Sequence, residues 1–363
     1  MAKRVGVDKW LFGVVLLLVV IGLAMVFSAS AVMASDRFGS PYTFVIRQAI
    51  WAVLGLAAMT WLMRVDYRRY NNPNIVFPAI ALTALCLLAA FAMRDSHNTH
   101  RWIHVGPFQA QPSELAKPAL VLFLAWFLQK RMGTMGDWRG TIIPAALPSL
   151  IFIGLIVKEP DLGTAMVCAG VTALMFYLAG LNFKYLLYAF VTSLPLLYFL
   201  LFRVEWRRKR MLAFLNPDAD PRGSGFHTIQ SLIAVGTGGL HGLGFMEGRQ
   251  KLFYLPEAHT DFIFANISEE LGLIGALVVV ALFLTLGYRG MRAAVLSKDP
   301  FARFLAFGIT STILVQAFFN ISVVLALVPT KGITLPFISY GGTSLFIMLA
   351  SIGVLLNVTR EID

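Results

Sequence analysis

Between Tyr254 and Gly272 the chain reads YLPEAHTDFIFANISEELG and sets two carboxylates, Glu257 and Asp261, at the mouth of a long apolar run. A carboxylate within hydrogen-bond reach of a substrate hydroxyl can take its proton as a general base. An ionisable group kept at the edge of membrane-embedded protein is costly, and that cost points to function. Asp261 fits this role. A second reading stands beside it: Thr260 or Asp261 also suits a helix start, where a short oxygen-bearing side chain caps free N–H groups and negative charge favours the positive end of the helix dipole.

Three more segments carry polar chemistry. In HRWIHVGPFQAQPSELAKP, Pro112 suits a first helical turn, Glu114 and Lys117 become i,i+3 neighbours on one face, and Pro118 removes a backbone bond to the carbonyl of Glu114. The pair is either part of a polar site or an ion pair steadying the helix start. In KEPDLGTA, Asp161 reads first as a helix cap. In VPTKGITLPFISYGGTS, Lys331 stands between turn formers, either in a site or as a solvated loop lysine, and Gly341 and Gly342 permit close packing. Arg207, Arg208, Lys209 and Arg210 form a basic run that can hold an anion, or snorkel into headgroups beside Trp206 and the apolar residues that follow.

The elements that position these residues are membrane helices. Of 363 residues 58% are hydrophobic and 13% charged, with mean hydropathy +0.74, where a soluble protein carries about a quarter charged residues. Apolar runs of bilayer-crossing length fall near 10–33, 43–63, 74–93, 112–129, 141–157, 161–181, 184–203, 262–287, 302–327 and 335–357. The expected fold is therefore all-α: a single polytopic domain over residues 1–363 with about ten transmembrane helices and one long outward loop, about 203–261. The first run is long enough to span and shows no clear cleavage site. Cys86 and Cys168 both sit in apolar runs, so no disulfide framework is implied. The net charge of +11 is spread among loops and not gathered on a soluble face, so a nucleic-acid partner is not expected.

Positive charge in short loops gives the orientation. Lys3, Arg4, Lys9, Arg64, Arg68, Arg69, Lys130, Arg131, Arg139, Arg289, Arg292, Lys298 and Arg303 fall on one face, which is read as cytoplasmic together with both termini. The opposite short loops are poorer, with Arg37, Arg47, Arg94, Arg101, Lys158 and Lys331. The 207–210 run breaks the bias, but it opens a long loop, and long loops cross largely regardless of charge. Within that loop, Phe226 to Val235 is expected as a short helix lying back on the membrane, and the GTGGLHGLG run is only a weak phosphate-binding signal. Glu114, Lys117, Asp161, Asp261 and Lys331 then face one compartment at similar depth.

The same residues carry a resemblance. FSAS (27–30), RWIHVGPFQAQPSELAK (101–117), EPDLGTA (159–165), LNPDADPRGSGFHTIQSLIAVGTGGL (215–240), LPEAHTDFIFANISEELG (255–272) and PTKGITLPFISYGGTS (329–344) occur in order over nearly the whole chain. They resemble the SEDS family (shape, elongation, division and sporulation) of membrane proteins that polymerise lipid II into peptidoglycan glycan strands. PEAHTDFIFA and the lysine of PTKG are similar to the cell-division members. One departure is Met246, where relatives usually carry glycine, so the local loop conformation is in question.

The resemblance implies a peptidoglycan glycosyltransferase at the outer leaflet of the bacterial cytoplasmic membrane, at the division septum. Asp261 matches the aspartate needed for polymerisation. Glu257 and His259 belong to the same PEAHTD motif, Lys331 to PTKG, and Glu114, Lys117 and Asp161 match polar positions of the family's central cavity. Implied partners are a class B penicillin-binding protein (an FtsI-like transpeptidase), the FtsQ, FtsL and FtsB proteins, and lipid II itself. Polymerisation needs an activated sugar hydroxyl and a leaving pyrophosphate. Asp261 is offered for the first. Lys117, Lys331, Arg101 and the 207–210 cluster are offered for the second. No motif indicates a tightly held metal, while a loosely bound Mg²⁺ or Mn²⁺, helped by Glu114 or Asp161, is compatible with the sequence. Two rival classes are a lipid II flippase and a non-catalytic scaffold that recruits a transpeptidase. Against the flippase, no internal repeat is evident and the polar residues gather at one face instead of the midplane.

Overall fold

A computed structural model describes residues 6–92, 101–105 and 108–361 of the chain. Lys3, Arg4 and Arg94, counted in the loop charges, lie outside the described residues. Twelve helices occur among the described residues: α1 (Lys9–Phe38), α2 (Thr43–Leu62), α3 (Pro73–Ala92), α4 (Pro112–Gln129), α5 (Ile143–Lys158), α6 (Leu162–Leu178), α7 (Phe183–Phe202), α8 (Glu205–Leu215), α9 (Phe226–Thr237), α10 (Ile263–Leu296), α11 (Pro300–Val324) and α12 (Gly342–Thr359). One two-stranded antiparallel ribbon, β1 (Ile103–Val105) with β2 (Phe108–Ala110), leads into α4. Eight helices are long and apolar enough to cross a membrane, and α6 is apolar but shorter. With α4, which carries Glu114 and Lys117 in its first two turns, they match the ten expected spans.

Local chemistry explains the helix ends. Asp8 caps α1 by accepting from the backbone N–H groups of Trp10 and Leu11, and Gly39 closes it in the left-handed region with its N–H on Ser35 O. Pro112 opens α4, and Asp299 caps α11 through Phe301 N–H. One end of the bundle is tied by these termini. Asp8 pairs with Arg289 at 2.6 Å, and Glu361 accepts from Tyr67 and Arg68 at 2.8 Å each. Helices α1, α2, α4, α10, α11 and α12 form the packed centre, with α2 laid along α12. There Gly353 lets the backbones meet: a Cβ would stand 2.6 Å from Met59 O. Helix α7 has no buried residue and lies at the rim.

The region after α7 contains the short helix expected over Phe226–Val235, as α9, with Leu232 and Ile233 exposed. Helix α9 packs inward, burying Thr228, Ser231 and Ala234, and Ser231 Oγ donates to Val324 O at 2.8 Å. The glycine-rich run then lies along the start of α10. Helix α10 breaks at Gly272 (φ 66°, ψ −168°), a conformation open to glycine. The freed groups are taken up in register: Leu273 N–H and Ile274 N–H donate to Gly239 O and Leu240 O, while Leu243 N–H and Gly244 N–H donate to Glu269 O and Glu270 O. Backbone groups at membrane depth need such partners, because each one left unpaired costs several kcal/mol. The glycines of 236–244 thus serve backbone contact with α10. The segment before α12 differs from expectation. Residues 335–341 are turn and loop, not the start of the tenth span, and Phe337 and Ile338 press on Gly22 in the middle of α1.

Candidate active site

A cavity of about 760 Å³ opens where the Arg101 segment, the α5–α6 junction, α7–α8, Asp261 and the 328–332 loop converge. Six residues singled out in the sequence line it: Arg101, Asp161, Arg207, Arg210, Asp261 and Lys331. Leu197 and Leu201 from α7, Met166 and Phe319 supply an apolar wall. Four cations therefore face two carboxylates beside a surface suited to hydrocarbon.

Each group is held for a local reason. The Arg101 guanidinium donates to Glu159 O at 3.0 Å and to Pro160 O. Asp161 caps α6: Oδ1 accepts from Thr164 N–H at 3.1 Å, and Oδ2 from Thr164, Gln111 and Ser113 side chains. Arg207 and Arg210 flank Trp206, with guanidinium carbons 5.1 and 5.2 Å from the ring centroid, and Arg207 also donates to Leu200 O. Asp261 precedes the start of α10 and does not cap it, since Phe262 takes the N-cap position without a side-chain bond. Its backbone carbonyl accepts from Asn320 Nδ2 at 2.8 Å. A Cβ at Gly332 would stand 2.8 Å from Asp261 Oδ2, so the glycine leaves room for the carboxylate.

Electrostatics set this carboxylate apart. Burial pushes the Asp261 pKa up to about 7, and Glu257 adds to the rise while Arg210 and Arg101 oppose it. No hydrogen bond from a described residue offsets the rise. Burial pushes Lys331 down to about 8, with Arg207 adding to the fall. A carboxylic acid and an amine that both titrate near neutrality, in one cavity, are suited to proton transfer and charge stabilisation.

Residues 8–363 match the family model FtsW/RodA/SpoVE, described as cell cycle protein. The chain belongs to the FtsW/RodA/SpoVE family. It is 46% identical over 343 residues to the probable peptidoglycan glycosyltransferase FtsW of Geobacter metallireducens, covering 94% of this chain and 91% of that protein. Stage V sporulation protein E of Bacillus subtilis is 43% identical over 361 residues, with 99% and 98% covered. The fold is similar to a chain in a solved peptidoglycan synthase complex described as coordinating polymerization and crosslinking, with TM-score 0.79, 28% identity and coverage of 98% and 97%. The FtsW/RodA/SpoVE-family chain is a multi-pass membrane protein.

The remaining residues named for this family's site fall around the cavity and not on its wall. Glu114 and Lys117 are a buried pair at 2.8 Å, and Lys117 Nζ also donates to Gln316 Oε1 at 2.6 Å. Gln316 Nε2 in turn donates to Thr334 O at 3.0 Å, three residues beyond Lys331. Glu257 is exposed and accepts from Thr260 Oγ1. His259 is buried against Phe44 and Tyr340, with ring centroids 4.9 and 5.6 Å away. Arg208 is exposed and does not line the cavity.

Sequence reading missed several participants. In the sequence Trp206 reads only as a membrane anchor beside the basic run. Glu159 is fully buried with neither carboxylate oxygen hydrogen-bonded by a described residue, and burial, then Asp161, pushes its pKa up to about 8. Gln316 and Asn320 sit in an apolar helix, where a polar residue every fourth position was the available signal. As metal ligands Glu114 and Asp161 fit poorly. Both Glu114 oxygens face Lys117, and Asp161 Oδ2 already accepts three bonds.

Proposed function

We propose that this chain is a peptidoglycan glycosyltransferase that polymerises lipid II, acting with Asp261 as general base. The reading rests on one observation above all: a carboxylate with no described hydrogen-bond donor shares a cavity with four cations and an apolar wall. Lipid II needs each part. A sugar hydroxyl attacks the anomeric carbon of a second lipid II, a new C–O bond forms, and the bond to the pyrophosphate breaks. The hydroxyl proton passes to Asp261, and the charge developing on the departing undecaprenyl pyrophosphate is met by Arg101, Arg207, Arg210 and Lys331. The α7 wall suits the lipid chain. Relatives named as probable peptidoglycan glycosyltransferases support the same reading.

A divalent ion remains a proposal without a step assigned to it. When bound, Mg²⁺ or Mn²⁺ would neutralise pyrophosphate charge. Glu114 and Asp161 are poor holders, so such an ion would arrive with the substrate. The partner we propose is a class B penicillin-binding protein of FtsI type, with FtsQ, FtsL and FtsB as further components. The similarity to a chain of a synthase complex supports a partner of this kind. We place both termini in the cytoplasm on the strength of the loop charges, and the protein at the division septum on its similarity to a family described as cell cycle protein.

The test is purified protein with its transpeptidase partner, in vesicles carrying labelled lipid II. Glycan polymer is expected. Lipid scrambling without polymer would replace this reading with the flippase, and neither activity would leave the scaffold.

A further inference from the structure

Helix α11 crosses beneath the cavity and presents two buried amides one turn apart, Gln316 and Asn320. Asn320 Nδ2 donates to two carbonyls on two different loops, Asp261 O at 2.8 Å and Ile333 O at 2.6 Å. The first belongs to the carboxylate residue itself. The second lies two residues beyond Lys331 and next to Gly332, whose missing side chain makes room for Asp261. Among the described residues Asn320 Oδ1 has no hydrogen-bond partner, so the amide is held through its two carbonyl acceptors. A second staple joins the same strands, as Ser339 Oγ donates to Thr260 O at 2.6 Å and accepts from Leu335 N–H.

We infer that Asn320 is a positioning residue, whose amide ties the Asp261 and Lys331 loops to one point of α11 and so sets their separation across the cavity. This rests on the polymerase reading of the site. Asn320 does not line the cavity and acts only through the two loops. Removing its N–H groups leaves two carbonyls without their donor and frees the Asp261 backbone to drift. A displacement of about 1 Å at a reacting group is enough to cost on the order of 10²-fold in rate. Drift also lets water reach the carboxylate, so its pKa falls toward an ordinary value. The charges that face Asp261 (Glu257, Asp161, Arg101 and Arg210, with Arg207 and Lys331 on the same cavity) are unchanged by the substitution.

Asn320→Leu keeps the bulk and removes the donor. Asn320→Ser is too short to reach either carbonyl and serves if the leucine variant does not fold. Polymerisation of lipid II at saturating substrate is measured against pH, beside the melting temperature. The expected result is a fall in kcat of roughly 10- to 100-fold with KM within about twofold. The rising limb of the pH profile should move down by about one pH unit or more. A parental kcat and profile in either folded variant would overturn the inference while leaving the polymerase reading intact. So would a rate loss with an unmoved limb, or failure of both variants to fold, since either makes Asn320 merely structural. A parent protein that makes no polymer would overturn the polymerase reading, and this inference with it.

Discussion

The charges around Lys251 and Glu270 and those around Asp261 and Lys331 differ in how they are partnered. Lys251 and Glu270 are both buried and pair at 2.6 Å. Ser28 bonds both of them, Met246 N–H donates to Glu270 at 3.0 Å, and the neighbouring Glu269 accepts from Arg249 and Gln250 N–H. Every charge there has its partners. Ten residues after Lys251, the half-buried Asp261 carboxylate has no hydrogen bond from a described residue, and half-buried Lys331 in the same cavity lies 3.8 Å from the Met166 sulfur. Buried charges persist either because neighbours satisfy them or because a substrate will. The first cluster clamps the 238–251 segment to α1 and α10. The second lines the cavity of the proposed site.

Substitutions at each cluster should therefore fail in opposite ways. The largest effect is expected from Asp261→Asn, which keeps the shape but cannot take a proton. Polymerisation should fall by roughly 10²–10⁴-fold. The melting temperature at pH 8 should stay or rise, because a carboxylate whose pKa is raised in the folded state opposes folding once it ionises, by about 1–2 kcal/mol here after allowance for its partial exposure. Lys251→Met should do the reverse. It leaves Glu270 buried and unpaired, at about 3–5 kcal/mol of stability, while the fraction that stays folded polymerises at the parental rate. Thermal melts beside rates normalised to folded protein read both outcomes.

A smaller loss is expected from Lys331→Ala, on the order of 10-fold in polymerisation at limiting lipid II with unchanged folded yield. A parental rate would make it only a loop lysine. The smallest effect belongs to Met246→Gly. Met246 holds φ 67°, the left-handed region that glycine occupies freely, while its N–H supports Glu270. Glycine should stabilise the clamp by about 0.5–1 kcal/mol, read as a rise in melting temperature without a change in rate.

The spans were legible because length and apolarity are the whole signal for a membrane helix, and α4 begins and ends where the sequence places it. The cavity was legible in part. Arg101, Asp161, Arg207, Arg210, Asp261 and Lys331 all sit outside or at the ends of apolar runs, where polarity stands out. The clamp was not legible. Lys251 lies 19 residues before Glu270 with no helical spacing to connect them, and Glu269 and Glu270 read as the polar start of a span. Nor did periodicity reveal the break at Gly272 or the loop at 335–341. There tertiary contact with the glycine-rich run and with Gly22 overrides local apolarity. The departure at Met246 was visible in the sequence, and its positive φ is a conformation that glycine adopts more freely.

The central claim is that Asp261 takes the hydroxyl proton at a pKa raised by its cavity. The pH dependence of polymerisation at saturating lipid II tests it most directly. A base works deprotonated, so the rate should rise through about pH 7 as Asp261 loses its proton. The cation works protonated, so the rate should fall again through about pH 8 as Lys331 loses its own. The account predicts this narrow bell, with the rising limb absent from the residual activity of Asp261→Asn. A profile already flat from about pH 5 upward, where an ordinary carboxylate is ionised, or a rising limb that survives Asp261→Asn, would contradict it.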